Sequence, residues 1–135
     1  ILLLSIKYKL KEINLIILSV AIGGAIGSLL RYYISTISFL SNSIFPFSTF
    51  LVNISGSFII GVLFFLLKDT NNDLLKSFLT VGFLGGFTTF SAFSGDVLEL
   101  FHNDQHLISI IYIFGSVTIS LLAVYLGFWI TKITN

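Results

Sequence analysis

The sequence predicts an all-α membrane protein of four transmembrane helices, the third broken near its middle. Three observations carry this. First, 56% of the residues are hydrophobic and only 10% are charged, where soluble domains hold about a quarter charged residues. A soluble fold of 135 residues still leaves roughly a third of its unfolded-chain surface exposed, so water cannot be the main solvent of this one. Second, the apolar residues fall into four runs, each near the ~20 residues that a helix needs to cross ~30 Å of hydrocarbon. Third, one run is interrupted by consecutive glycines and hydroxyl side chains. The ~10-residue alternation of a transmembrane β-barrel is absent.

The first run spans Ile13 to Ser35, the second Pro46 to Leu67, the third Leu74 to Phe101 and the fourth Leu107 to Ile130. Charges lie between them: Lys7, Lys9, Lys11 and Glu12; Lys68, Asp69, Asp73 and Lys76; Asp96 to Asp104; Lys132. The organisation is therefore a polar N-terminal segment 1–12, one membrane domain 13–132 and a tail 133–135. The only proline, Pro46, opens the second run, where a missing N–H is harmless because first-turn donors are unpaired anyway. The loop Ser38 to Phe45 before it is uncharged. Asn71 and Asn72 with Asp73 make a turn and an N-cap for the third run. There is no methionine, so the natural start is read as missing or altered. The first run, followed by three more, reads as a span and not a leader.

A formal charge of +1 lacks the basic excess of a nucleic-acid module. Without cysteine there is no disulfide, thiolate metal site or cysteine nucleophile. His102 and His106 flank a loop with no third ligand in helical register and read as solvated. With no nucleophile–base set in register, an enzyme is the weakest reading.

The third run carries the strongest local signal. Residues 81–95 contain Gly82, Gly85, Gly86 and Gly95 with Thr88, Thr89, Ser91 and Ser94. Each glycine lowers helix stability by about 1 kcal/mol relative to alanine. A break at this depth is tolerated only where the freed backbone faces protein or a polar cavity. Such breaks hold ions, and glycine and threonine also serve close helix packing; both readings stand at this point. Asn53 lies inside the second run, where an interhelical hydrogen bond is the commoner role; Ser57, four residues on, shares its face. Tyr112, Ser116 and Ser120 recur every four residues and align three hydroxyls on one stripe, unless each bonds back to its own helix. Arg31 closes the first run, either snorkelling to the interface or attracting anions at a vestibule. Gly23 and Gly27 form a small-xxx-small pattern for close packing. Glu99 reads as a boundary residue, and Asp96 is left unplaced.

These residues resemble the Fluc fluoride-channel family, also called CrcB. The matching parts are Gly23-Gly24-x-x-Gly27-x-x-x-Arg31-Tyr32, Val52-Asn53-x-x-Gly56-Ser57-Phe58-x-x-Gly61, and Gly82-x-x-Gly85-Gly86-Phe87-Thr88-Thr89-Phe90-Ser91-x-Phe93-Ser94. The third is the most specific, and the likeness covers nearly the whole chain after the first dozen residues. The resemblance implies four-helix subunits paired antiparallel as a dual-topology dimer, with two fluoride paths and a structural Na⁺ at the dimer centre. By motif position, Asn53 lines the path from the second helix. Phe90 and Phe93 form the aromatic pair that fluoride passes, with Ser91 between them. Tyr112, Ser116 and Ser120 form the polar track. Gly85 and Thr88 offer backbone carbonyls to Na⁺, and Arg31 matches the family's first-helix arginine at the vestibule. The expected partners are fluoride, Na⁺, the lipid bilayer of a bacterial cell membrane, and a second copy or an inverted sister subunit.

The chain departs from the family pattern at Val124, where the hydroxyl track usually takes another step, and at Ala92, Ser48 and Asp96, where Thr, Gly and Glu are usual. Its chemistry is coherent without the family. An isolated anion costs tens of kcal/mol in a medium of dielectric near 4. Serine and tyrosine hydroxyls and the asparagine amide can replace the donors of water, and phenyl edges carry the positive part of the ring quadrupole. Binding must stay weak enough at each site for the ion to leave. A small dual-topology multidrug or cation exporter is the runner-up. It needs an acid deep in the membrane, and none lies in the first two runs. A non-conducting subunit of a heterodimer is the third reading. All six lysines fall on the side that holds both termini and the second loop; this predicts one preferred orientation, with that side cytoplasmic.

Overall fold

The computed structural model describes residues 2–37 and 43–135; residues 38–42 of the expected uncharged loop lie outside them. Helix α1 runs Leu2–Ser35 and α2 runs Phe47–Leu66. The third span, Asp73–His102, is in two arms. Its first arm, α3 (73–87), begins as an α-helical turn at Asp73–Lys76, widens to π-helix over Ser77–Leu84 and ends in a turn at Gly85–Phe87. Its second arm, α4, is Phe90–His102, and α5 is His106–Thr134. Among the described residues, four stretches are long and apolar enough to cross a membrane, in agreement with the four runs read from the sequence. The polar segment 1–12 is helical from Leu2 and continuous with the first span.

Local chemistry explains the ends. Pro46 sits immediately before α2, and its carbonyl accepts the Phe50 N–H at 3.1 Å. The Asn72 side chain accepts from Leu75 N at 3.0 Å and caps α3. The α4–α5 turn passes through Asp104 at φ 58°, in the left-handed region that aspartate tolerates better than most residues.

Two helix pairs build the bundle. Helix α1 lies against α3, and α2 lies against α5. Small residues let the backbones touch, as lipid-embedded helices require. A Cβ on Gly23 would come within 2.5 Å of the Phe78 carbonyl oxygen and 2.9 Å of Phe83 N. On Gly127 it would overlap the Phe58 carbonyl of α2. The buried core is small and in two clusters. Val52, Leu84 and Phe87 form one; Phe93, Leu100 and Tyr112 form the other. Most large apolar side chains point outward, with Phe114 69% and Trp129 62% exposed. That surface is stable only against lipid or another apolar partner.

Candidate functional site: a polar groove at the helix break

The break consists of Thr88 (φ −78°, ψ 158°) and Thr89 (φ −153°, ψ 122°), both extended between α3 and α4. The last turn of a helix leaves its carbonyls without intrahelical partners, and each must be satisfied at this depth. Leu84 O accepts from both the N–H and the hydroxyl of Thr88, each at 2.9 Å. Gly86 O accepts from Arg31 Nε at 3.1 Å. Across the gap, Asn53 Nδ2 donates to Thr89 O at 3.0 Å while its Oδ1 accepts from Thr89 N at 2.8 Å. One amide therefore satisfies both backbone groups of Thr89. The Thr89 hydroxyl accepts from Ala92 N at 3.1 Å and caps α4. Helix α2 approaches this closely because residue 56 is glycine; a Cβ there would overlap the Thr88 methyl. Among the described residues, no side-chain or loop donor bonds the carbonyls of Gly85 or Thr88.

A groove of about 430 Å³ opens beside the break. Asn53 and Ser57 line it from α2, Gly85, Thr88 and Thr89 from the break, Phe90 and Phe93 from α4, and Ser116 and Ser120 from α5. Five of the seven expected path residues, and both expected cation ligands, thus share one wall system. Ser116 Oγ is buried and has no hydrogen-bond partner among the described residues. Phe90 and Phe93 stand one turn apart with ring centroids 5.4 Å apart at 39°. Phe90 is 77% exposed and Phe93 9%, so the pair presents one free ring and one packed ring.

The other two expected path residues lie off the groove. Ser91 is exposed, with its hydroxyl 3.1 Å from that of Thr89. Tyr112 is fully buried, 5.1 Å from the Phe93 ring and edge-on to Phe45. Its hydroxyl donates to Asp96 Oδ2 at 2.9 Å, which gives Asp96 the place that the sequence left open. Glu99 is exposed.

Arg31 borders a separate cavity of about 330 Å³ that also touches Ser28, Ser35, Ser48, Thr49 and Thr89. With Nε committed to Gly86, its remaining N–H groups have no hydrogen-bond partner among the described residues and border that cavity. Sequence reasoning missed Ser109, buried and without a hydrogen-bond partner among the described residues. It precedes Tyr112 by three positions, so its helical spacing to the other α5 hydroxyls was the available signal. His106 and Asp104 approach to 3.7 Å on the surface. No group of three or more His, Asp or Glu converges among the described residues.

Four spans around an interrupted helix, with neutral donors and aromatic rings beside the break, define a helical multi-span membrane protein with a polar groove at its third span. Residues 18–128 match the family described as "CrcB-like protein, Camphor Resistance (CrcB)". The "Fluoride-specific ion channel FluC" of Helicobacter pylori (strain J99) is 42% identical over 123 residues, covering 88% of this chain and 95% of that protein. The protein of the same name from Rhizobium johnstonii is 48% identical over 111 residues, covering 80% and 89%. That of Flavobacterium psychrophilum is 41% identical over 116 residues, covering 84% and 94%. The chain belongs to the CrcB family. It is a multi-pass protein of the bacterial plasma membrane, and its relatives are named as channels, not enzymes.

Proposed function

We propose that this chain is a subunit of a fluoride-selective channel that passes cytoplasmic fluoride passively out of the cell. The observation that carries this reading is the groove, which gathers Asn53, Ser116, Ser120, Phe90 and Phe93 beside the break in the third span. These residues supply hydrogen-bond donors and ring edges without a fixed charge. A tightly hydrated anion can exchange its water for them, and no single site is strong enough to trap it. Ser116 has a hydroxyl uncommitted among the described residues, and Asn53 retains the second of its two N–H groups after bonding Thr89. Tyr112 donates to Asp96, so its part in the path is to hold Phe93 in place.

In this reading two chains pair antiparallel, as a second copy or an inverted sister subunit, and each dimer has two pores. The carbonyls of Gly85 and Thr88, which no side-chain or loop donor bonds among the described residues and whose residues line the groove, are the ligands of a structural Na⁺ shared at the dimer centre. Hard cations take oxygen ligands, so the donor set fits. One chain supplies two of them, and the partner supplies the rest. When bound, the ion contributes a fixed positive charge that needs no titratable residue. Arg31 adds a second positive charge at a cavity mouth.

The test is ion efflux from liposomes loaded with potassium fluoride or potassium chloride and made permeable to K⁺. Rapid fluoride release with chloride retained is the expected result. Equal release of both ions, or of neither, overturns the proposal.

A further inference from the structure

The N-terminal end of α1 carries a feature that fluoride conduction does not use. A furrow of about 460 Å³ lies along this helix, lined by Lys7, Leu10, Lys11, Asn14, Leu15 and Leu18. At about 100° per residue these six fall within one arc of the helix, whereas Lys9 and Glu12 fall outside it. The face thus holds two ammonium groups and no carboxylate. Among the described residues, none of another helix lines it, and Leu10, Leu15 and Leu18 are each about half exposed.

Depth along the helix sorts these side chains. The uncharged stretch of α1 runs from Ile13 to Leu30, about 27 Å of helix and close to the thickness of the hydrocarbon core. Lys11 and Glu12 directly precede it, so Lys11 stands at a headgroup boundary. Lys7 lies about 6 Å further out, and Leu18 about 10 Å further in. The furrow is cationic at headgroup depth, amide-bearing at the depth of the glycerol esters and apolar below. We infer that it is a binding site for one anionic phospholipid. The phosphodiester lies between Lys7 and Lys11, the Asn14 amide donates to an ester carbonyl, and an acyl chain follows Leu15 and Leu18. Charge complementarity selects this occupant: a zwitterionic headgroup brings its own cation to the two lysines, and a free phosphate leaves the leucines uncovered.

Native mass spectrometry of the purified full chain tests the site, with phosphatidylglycerol and phosphatidylcholine titrated separately. The expected result is a retained phosphatidylglycerol adduct that phosphatidylcholine does not match and inorganic phosphate does not displace. Each basic residue near an anionic surface matters by several-fold, so the variant carrying Lys7→Gln and Lys11→Gln should bind about tenfold more weakly or worse. Lys9→Gln, on the other side of the helix, should bind like the parent. Equal retention of both lipids, displacement by phosphate, or an equal loss in Lys9→Gln overturns the proposal. Fluoride efflux from the same variants reports whether they are folded and is expected to be unchanged.

Discussion

At the scale of single residues, Asn53 bears the most. It lies far from Thr89 in sequence, yet its one amide satisfies both the N–H and the carbonyl of that residue. An unpaired backbone group at this depth costs about 1–3 kcal/mol. Asn53→Leu should therefore lower stability by about 2–4 kcal/mol, read as a fall in the unfolding temperature in detergent. Asn53→Asp keeps an acceptor for Thr89 N but removes the donor and adds a negative charge to the groove. It should reduce fluoride efflux at least tenfold while losing less stability than the leucine variant. Efflux at the parent rate in both variants would remove Asn53 from the path.

At the scale of elements, the break and the α1–α3 contact make separate demands. Helix α4 begins with Thr89 as its cap, and losing a hydroxyl cap costs about 1 kcal/mol. Thr89→Ala should lose that amount and Thr89→Ser should retain most of it, measured by chemical or thermal unfolding of the two side by side. The glycines differ just as sharply. A Cβ on Gly86 would stand 2.5 Å from Gly24 O and 3.0 Å from Gly24 Cα, whereas one on Gly95 meets nothing within 4 Å. Backbone cannot move aside as a side chain can, so Gly86→Ala should destabilise by about 1–3 kcal/mol. Gly95→Ala, inside a regular helix, should be neutral or stabilising by up to about 1 kcal/mol. Equal thermal shifts for the two would argue against the helix contact described here.

At the scale of the whole molecule, charge is distributed unevenly. Six lysines flank one membrane face, and the sole arginine is near the other. That arginine donates to the Gly86 carbonyl, inside the protein and not in a loop, so the bias is steeper than the count. Lysine-rich ends remain cytoplasmic. A tag on the C-terminus should be inaccessible to an impermeant reagent in whole cells and become accessible after lysis. Labelling of half the molecules in intact cells would establish insertion both ways and favour a partner identical to this chain.

The sequence by itself determined the four spans, because hydrocarbon thickness and backbone satisfaction leave a chain this apolar few alternatives. It also marked the place of the break, since Gly85-Gly86 followed by two threonines cannot sustain a helix without help. Composition and spacing brought Asn53 and the α5 serines to notice, and the family resemblance brought Phe90, but none of these placed them beside one another. Only the tertiary structure decided that Asn53 closes on Thr89, that Arg31 takes Gly86 O, and that Tyr112 turns to Asp96 while Ser116 and Ser120 line the groove. Helical period places residues on a face, and all three hydroxyls share one. Which neighbour each meets depends on how deeply a second helix packs against α5, and glycines on both helices, Gly61 of α2 and Gly127 of α5, permit that approach. The π-helical turns of Ser77–Leu84, which lie against α1, had no counterpart in the sequence pattern.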